Sequence, residues 1–320
     1  MLTEGRSGMR ILFMGTPDFA AGCLEALVAA GREVVAAVSQ PDRPKGRGHK
    51  VQMTPVHACA QAHGISVYQP QAIKNGELDD VLAQTKPDVI VVVAYGKILP
   101  KEVLDYPKYG CINVHASLLP RYRGAAPIQW CIINGERETG ITTMYMEQGL
   151  DTGDMILKRP LALSEDETAG TLHDKLMRLG AQTLLETLEQ IERGCAPREK
   201  QDDSLSCYAP LIQKETAQID WSKSAQQVRN LIRGMSPSPL AYTTYKGARM
   251  KIGQAAIAGG ASATEPGTVL RADKDGLLVQ CGDGALLAQT VQFEGKKLMP
   301  VCDYLAGHTI ETGVVLGREE

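Results

Sequence analysis

The sequence predicts a two-domain α/β protein: a Rossmann-like, mostly parallel sheet with helices on both faces, followed by a small OB-like β-barrel. Three observations carry this reading. In the first half, short apolar runs alternate with segments of helical period, as β-α-β units require. In the second half the pattern changes to many short runs bounded by Gly or Asp, which suits a small barrel. A length of 320 residues also exceeds the usual size of one domain.

Residues 1–8 (MLTEGRSG) have no apolar stretch and read as a disordered extension rather than a signal peptide. Residues 10–15 form an apolar strand, Gly15-Thr16-Pro17-Asp18 a tight turn and residues 19–30 a helix. That turn lacks the three glycines of a dinucleotide fingerprint, so nicotinamide binding is not expected. Further strands are predicted at 33–39 and 88–94 (DVIVVVA), with helices at 55–63 and 76–85. Such alternation implies a covered, mostly parallel sheet, with ligands beyond the carboxyl ends of its strands. Strands follow at 139–146 and 155–161, then a long helix over 168–193 whose Leu172, Leu176, Leu179, Leu184 and Leu188 form a core stripe. Residues 197–212 lack periodicity and read as a linker between domains at 9–196 and 213–320. A helix at 224–234 precedes short strands at 241–245, 249–257, 267–271, 276–281 and 285–293.

Apolar residues make up 43% of the chain, and the formal net charge of −3 excludes a surface coated in positive charge. Contact with nucleic acid must then come from local patches. One is QPDRPKGRGHK, residues 40–50, where Arg43, Lys45, Arg47 and Lys50 face the single anion Asp42 in a Gly- and Pro-rich loop. A second spans 213–252, where Lys214, Lys223, Arg229, Arg233, Lys246, Arg249 and Lys251 oppose only Glu215 and Asp220, an excess of five charges. The eight cysteines form no CxxC pair, which indicates neither a zinc site nor a disulfide framework and fits a reducing cytoplasm. His57, Cys59 and His63 lie close on one helix without a visible partner cluster, so no metal site is expected there. No apolar run approaches the length of a membrane span.

The chemistry concentrates in residues 111–156. Asn113 and His115 are two apart in an extended apolar context, so on a strand they share a face. Downstream, Gly149-Leu150-Asp151-Thr152-Gly153 is a glycine-flanked turn that holds a carboxylate near a strand end. An amide donor suits an oxyanion, an imidazole suits proton transfer, and a carboxylate orients the imidazole. On spacing alone, an Asn-x-His pair and an Asp in a Gly-rich turn are more often structural. The long run between them, Ser117-Leu118-Leu119-Pro120, Arg121-Tyr122-Arg123-Gly124 and Ala125-Ala126-Pro127, shifts that balance.

The whole stretch resembles the formyltetrahydrofolate-dependent formyltransferases, and the resemblance extends over nearly the whole chain from Met9. It implies 10-formyltetrahydrofolate as formyl donor and Asn113, His115 and Asp151 as the catalytic trio. It further implies a folate pocket at Tyr95, Gly96, Ser117, Leu118, Leu119 and Pro120. The acceptor implied is the α-amino group of methionyl initiator tRNA, contacted by Arg43, Lys45, Arg47, Lys50 and Lys214, with Arg47 matching the family's key arginine and Lys45 replacing a smaller residue. A cytoplasmic monomer without metal or membrane is expected. Two rivals share the chemistry. Formyl transfer to an amino-sugar nucleotide or other small amine suits a similar two-domain chain, whereas a glycinamide ribonucleotide enzyme would be shorter. A non-enzymatic RNA-binding protein would need no intact trio.

Overall fold

The structure, a computed structural model, describes residues 8–45, 50–73, 76–259 and 263–318. Residues 1–7 of the expected extension lie outside them. Two compact units emerge: one from the described residues within Met1–Gly124, Glu138–Ala162 and His173–Tyr208, the other from Ala125–Arg137, Leu163–Leu172 and Ala209–Glu320. The units are therefore discontinuous, whereas the sequence suggested a division at a single linker. Part of that linker is structural in the first unit, because Glu199 and Met155 exchange main-chain hydrogen bonds of 2.8 and 3.0 Å.

The first unit contains strands β1 (Ile11–Gly15), β2 (Val34–Val38), β3 (Arg43–Lys45), β4 (Lys50–Gln52), β5 (Val67–Tyr68), β6 (Val89–Val93), β7 (Cys111–His115), β8 (Arg123–Gly124), β9 (Glu138–Tyr145) and β10 (Met155–Ala162). Seven of them build one sheet in the order β10-β9-β7-β6-β1-β2-β5. The pairs from β7 to β5 are parallel, while β9 and β10 are added antiparallel at one edge. Strands β1 and β6 are buried at every residue, as continuous apolar runs in a sheet covered on both faces should be.

Helices α1 (Asp18–Ala29), α2 (Pro55–Ala62), α3 (Asp79–Thr85) and α4 (Lys101–Leu104) follow in turn. Leu12, Met14, Ile90 and Val92 pack on one face with Val81 and Leu82 of α3 and Val103 of α4. On the other face, after α5 (Pro127–Ile133), the long α6 (Ala169–Glu192) comes close at Gly180 to Val114, Ile141 and Phe19. Leu172, Leu176, Leu184 and Leu188 are wholly buried, as the stripe predicted, whereas Leu179 is only half-buried.

Beyond the short β11 (Tyr208–Ala209), the second unit contains α7 (Ala225–Met235), strands β12 (Ala241–Tyr245), β13 (Ala248–Ala258), β14 (Val269–Asp273), β15 (Gly276–Gln280), β16 (Ala285–Phe293) and β17 (Met299–Pro300), and α8 (Val301–Leu305), with α7 packed on β12, β13 and β16. The sheet is antiparallel, ordered β12-β13-β16-β15-β14 with β17 on β16. Ser224 and Gln227 form a reciprocal capping box that starts α7, satisfying two backbone donors at its first turn. Ile232 and Met235 then join Trp221, Met250, Ile252 and Val291 in the core.

Among the described residues, no helix is long and apolar enough to cross a membrane.

Candidate active site

Strand β7 does what its alternation implied. Val114 points towards α6, and Cys111, Asn113 and His115 take the opposite face. Asn113 sits between Val92 of β6 and Met144 of β9. Nearby, Leu119, Met144 and Met155 form a small apolar cluster. The Asn113 side chain is half-buried, and its amide has no hydrogen-bond partner among the described residues. His115 is buried: its Nε2 lies 2.9 Å from the carbonyl oxygen of Tyr122, and its Nδ1 lies 3.7 Å from Asp151 Oδ2. With side chains only 7% and 11% exposed, His115 and Asp151 are shielded from bulk screening.

Asp151 arrives by a less direct route than the sequence suggested. Because β9 runs against β7, Tyr145 pairs with Ile112 and the strand ends beside the start of β7, away from the parallel strands' carboxyl ends. Residues 146–154 then return towards His115. Asp151 occupies the left-handed region at φ +52°, which Asp tolerates better than most residues. Gly153 approaches the preceding strand so closely that a Cβ there would lie 1.8 Å from the Tyr145 carbonyl oxygen.

Three residues outside the predicted set hold this turn. The Gly124 N–H donates to Asp151 Oδ2 at 2.8 Å. Gln201 Nε2 donates to the carbonyls of both Asp151 and Gly153 at 2.8 Å. Arg123 holds Gln201 in turn, its Nε and Nη2 donating to Oε1 at 3.0 and 2.8 Å. The run Arg121-Tyr122-Arg123-Gly124 was visible in the sequence, but its contribution of a main-chain carbonyl and N–H to the site was not. Gln201 carried no signal at all.

The residues of the expected folate pocket divide into two groups. Ala94 and Gly96 are exposed at φ +44° and +83°, so the backbone after β6 is open to a ligand. Tyr95 between them is buried, and its hydroxyl has no partner among the described residues. Burial, with the Glu77 charge, pushes its pKa up to about 12. Leu118 and Pro120 are half-buried. Ser117 and Leu119 are buried and already engaged: Ser117 Oγ donates to Arg121 O at 2.6 Å, and Leu119 N donates to Thr142 Oγ1 at 3.0 Å. They shape the loop from within.

Residues 9–188 match the model of the formyl transferase family, and residues 211–309 match that of the formyl transferase C-terminal domain. The chain belongs to the formyl transferase family. It is 53% identical over 312 residues to the methionyl-tRNA formyltransferase of Geobacter sulfurreducens, covering 98% of each chain. The enzyme of the same name from Alkaliphilus metalliredigens is also 53% identical, over 98% of this chain and 99% of its own. Among solved formyl transferases, an N-formyltransferase from Helicobacter canadensis, bound to folinic acid and dTDP-3-aminofucose, superposes with a TM-score of 0.67 at 18% identity, covering 88% of this chain and 98% of that one. That last likeness is one of fold.

In this formyl transferase the basic segment after β2 is not the open loop expected. Arg43–Lys45 and Lys50–Gln52 pair as an antiparallel ribbon, with Lys45 opposite Lys50. Arg47 lies outside the described residues. Asp42 anchors the base, accepting from Thr54 N, Gln69 Nε2 and His57 Nδ1, each at 2.9 Å. Burial opposes its charge, but these bonds hold the carboxyl below its ordinary value. Arg43 and Val51 on the ribbon are exposed.

The second basic stretch is less cationic than its local count. Arg229 pairs with Asp166 at 2.6 Å, Arg233 donates to the Glu167 carbonyl at 2.9 Å, and Lys246 meets Glu311 at 2.5 Å. These acceptors lie outside the window over which the excess was counted. Lys214 is exposed, and its ammonium has no partner among the described residues.

Proposed function

We propose that this chain transfers the formyl group of 10-formyltetrahydrofolate to the α-amino group of methionine esterified to initiator tRNA, giving N-formylmethionyl-tRNA for translation initiation. The observation that carries the reading is the buried His115–Asp151 pair together with a half-buried, unpartnered Asn113 amide on the same strand face as His115, in a formyl transferase fold. Relatives at 53% identity bear the name of that activity.

The residues present suit the formyl donor. The exposed main chain at Ala94 and Gly96 offers N–H and C=O groups to a heteroaromatic edge, the Tyr95 carbonyl being held by Thr16 Oγ1 and Gln40 Nε2, and the half-buried Leu118 and Pro120 offer apolar cover. The donor supplies an activated formyl carbon. Asn113 donates to the oxygen that gains charge as the amine adds, and His115 assists from the same face of β7. Asp151 orients the imidazole; as the amine's bond to the formyl carbon forms, the bond from that carbon to N10 of the donor would break, the amine giving up one proton and N10 taking one through solvent. An α-amino group with a pKa of roughly 7.7–8 is partly unprotonated near neutrality, so no strong base is required.

The first unit is the catalytic one in this reading. The second contributes an OB-like surface for RNA, consistent with its antiparallel sheet and exposed Lys214. Arg43, Lys45, Arg47 and Lys50 meet the acceptor end of the tRNA, and the protein acts as a cytoplasmic monomer. Transfer to an amino-sugar nucleotide is the second reading, supported by the sugar bound in the Helicobacter canadensis relative of this fold.

Radiolabelled formyl transfer, with methionyl initiator tRNA and amino-sugar nucleotides as parallel acceptors, tests the proposal. Label appears on the tRNA, and Arg43→Ala and Arg47→Ala each reduce the salt dependence of tRNA binding by about one phosphate contact. Preferential labelling of the sugar overturns it.

A further inference from the structure

Cys59 and His63 stand one turn apart on α2, and Glu25 of α1 reaches the same point. His63 Nε2 lies 2.8 Å from Glu25 Oε2, and Cys59 Sγ lies 3.5 Å from that same oxygen. All three donor atoms fall within 4.8 Å of one another. We infer that Glu25, Cys59 and His63 form a binding site for a divalent borderline-soft metal ion, zinc by preference, that clips α1 to α2.

Two of the three separations need little adjustment. A tetrahedral zinc ion, with bonds of about 2.0–2.3 Å, sets its ligand atoms roughly 3.3–3.8 Å apart. The Glu25–Cys59 separation already fits, and the Glu25–His63 separation must open by about half an ångström, which surface side chains achieve by small rotations. The Glu25 side chain is 58% exposed and that of His63 31%, so the ligands are reachable and a fourth position faces water.

One thiolate, one imidazole and one carboxylate select zinc and similar transition ions over magnesium or calcium, which prefer all-oxygen sets. Binding displaces the thiol proton and replaces the His63–Glu25 hydrogen bond with two metal bonds. Sequence spacing revealed Cys59 and His63 but not Glu25, because the third ligand comes from another helix. The trio lies outside the set assigned to formyl transfer.

The test uses the full chain, stripped with chelator and titrated with zinc against a chromophoric chelator, then with cobalt(II) followed optically. One ion binds per chain, cobalt gives a near-ultraviolet thiolate charge-transfer band, and zinc raises the Tm. In Cys59→Ser the band disappears. In Cys59→Ser, His63→Ala and Glu25→Gln the affinity falls by at least the ~10–100-fold that even an outer-shell change costs, while metal-free far-ultraviolet dichroism and formyl transfer are unchanged. A Cys195→Ser/Cys302→Ser variant, which removes the two exposed thiols, retains the site. Undiminished binding in Cys59→Ser, absence of the thiolate band in the unaltered chain, or loss of binding in the Cys195/Cys302 variant each overturns the inference.

Discussion

His115 holds its Nε2 2.9 Å from the carbonyl oxygen of Tyr122. A carbonyl only accepts, so Nε2 carries a hydrogen for as long as this bond stands. The ring nitrogen left to gain or lose a proton is Nδ1, which faces Asp151 at 3.7 Å. The backbone thus fixes the tautomer, and the carboxylate lies beside the atom where protonation changes.

Replacing Asn113 separates catalysis from stability. Its amide has no partner among the described residues, so Asn113→Ala leaves the Tm nearly unchanged. Because the lost donor serves an oxygen that becomes charged during the reaction, kcat falls roughly 100- to 1,000-fold. Steady-state kinetics and a thermal melt on one preparation check both halves.

Asp151 has two roles that different substitutions distinguish. Asp151→Asn tolerates φ +52° and still accepts from the Gly124 N–H, so folding survives while the charge beside Nδ1 is gone. Asp151→Ala loses the acceptor as well and adds roughly 1 kcal/mol or more of left-handed strain. Both variants lose turnover, but only the alanine shows a clear fall in Tm.

Gly153→Ala reaches the same pocket through the backbone. A methyl 1.8 Å from the Tyr145 carbonyl oxygen is not accommodated, so the turn moves and carries Asp151 with it. Overpacking of this kind costs about 1–3 kcal/mol. The expected outcome is a lowered Tm together with lost activity, and a fully active Gly153→Ala would contradict the described turn.

The base of the basic ribbon is sensitive to acid. The Asp42 carboxyl titrates lower in the folded chain than its ordinary value, so the native state binds fewer protons than the unfolded one around that value, near pH 3.9. The stabilisation is complete above that pH and is lost as pH falls through the lowered folded value. Melts across pH should therefore show a constant Tm gap between the unaltered protein and Asp42→Asn above about pH 5, closing below about pH 4.

Much of the fold was legible because its elements are locally encoded. The buried runs at β1 and β6, the leucine stripe of α6 and the Asn113-x-His115 alternation each follow from periodicity alone. What local pattern could not supply was pairing at a distance. Nothing near Tyr145 shows that β9 turns against β7, and Gln201 steadies Asp151 from fifty positions away. Charge behaved similarly: the apparent cationic excess around Arg229 and Lys246 is offset by Asp166 and Glu311 from remote segments. The ribbon at Arg43–Gln52 looked like a loop because its glycines and prolines conceal a pairing of only three residues a side.

The N–H of Gly124 is covered by a side-chain oxygen of Asp151. Its deuterium uptake consequently follows departure of that carboxylate rather than fraying of a strand. A single amide thereby acts as a stopwatch for how often the imidazole loses its companion, readable in the resting enzyme before any acceptor is added.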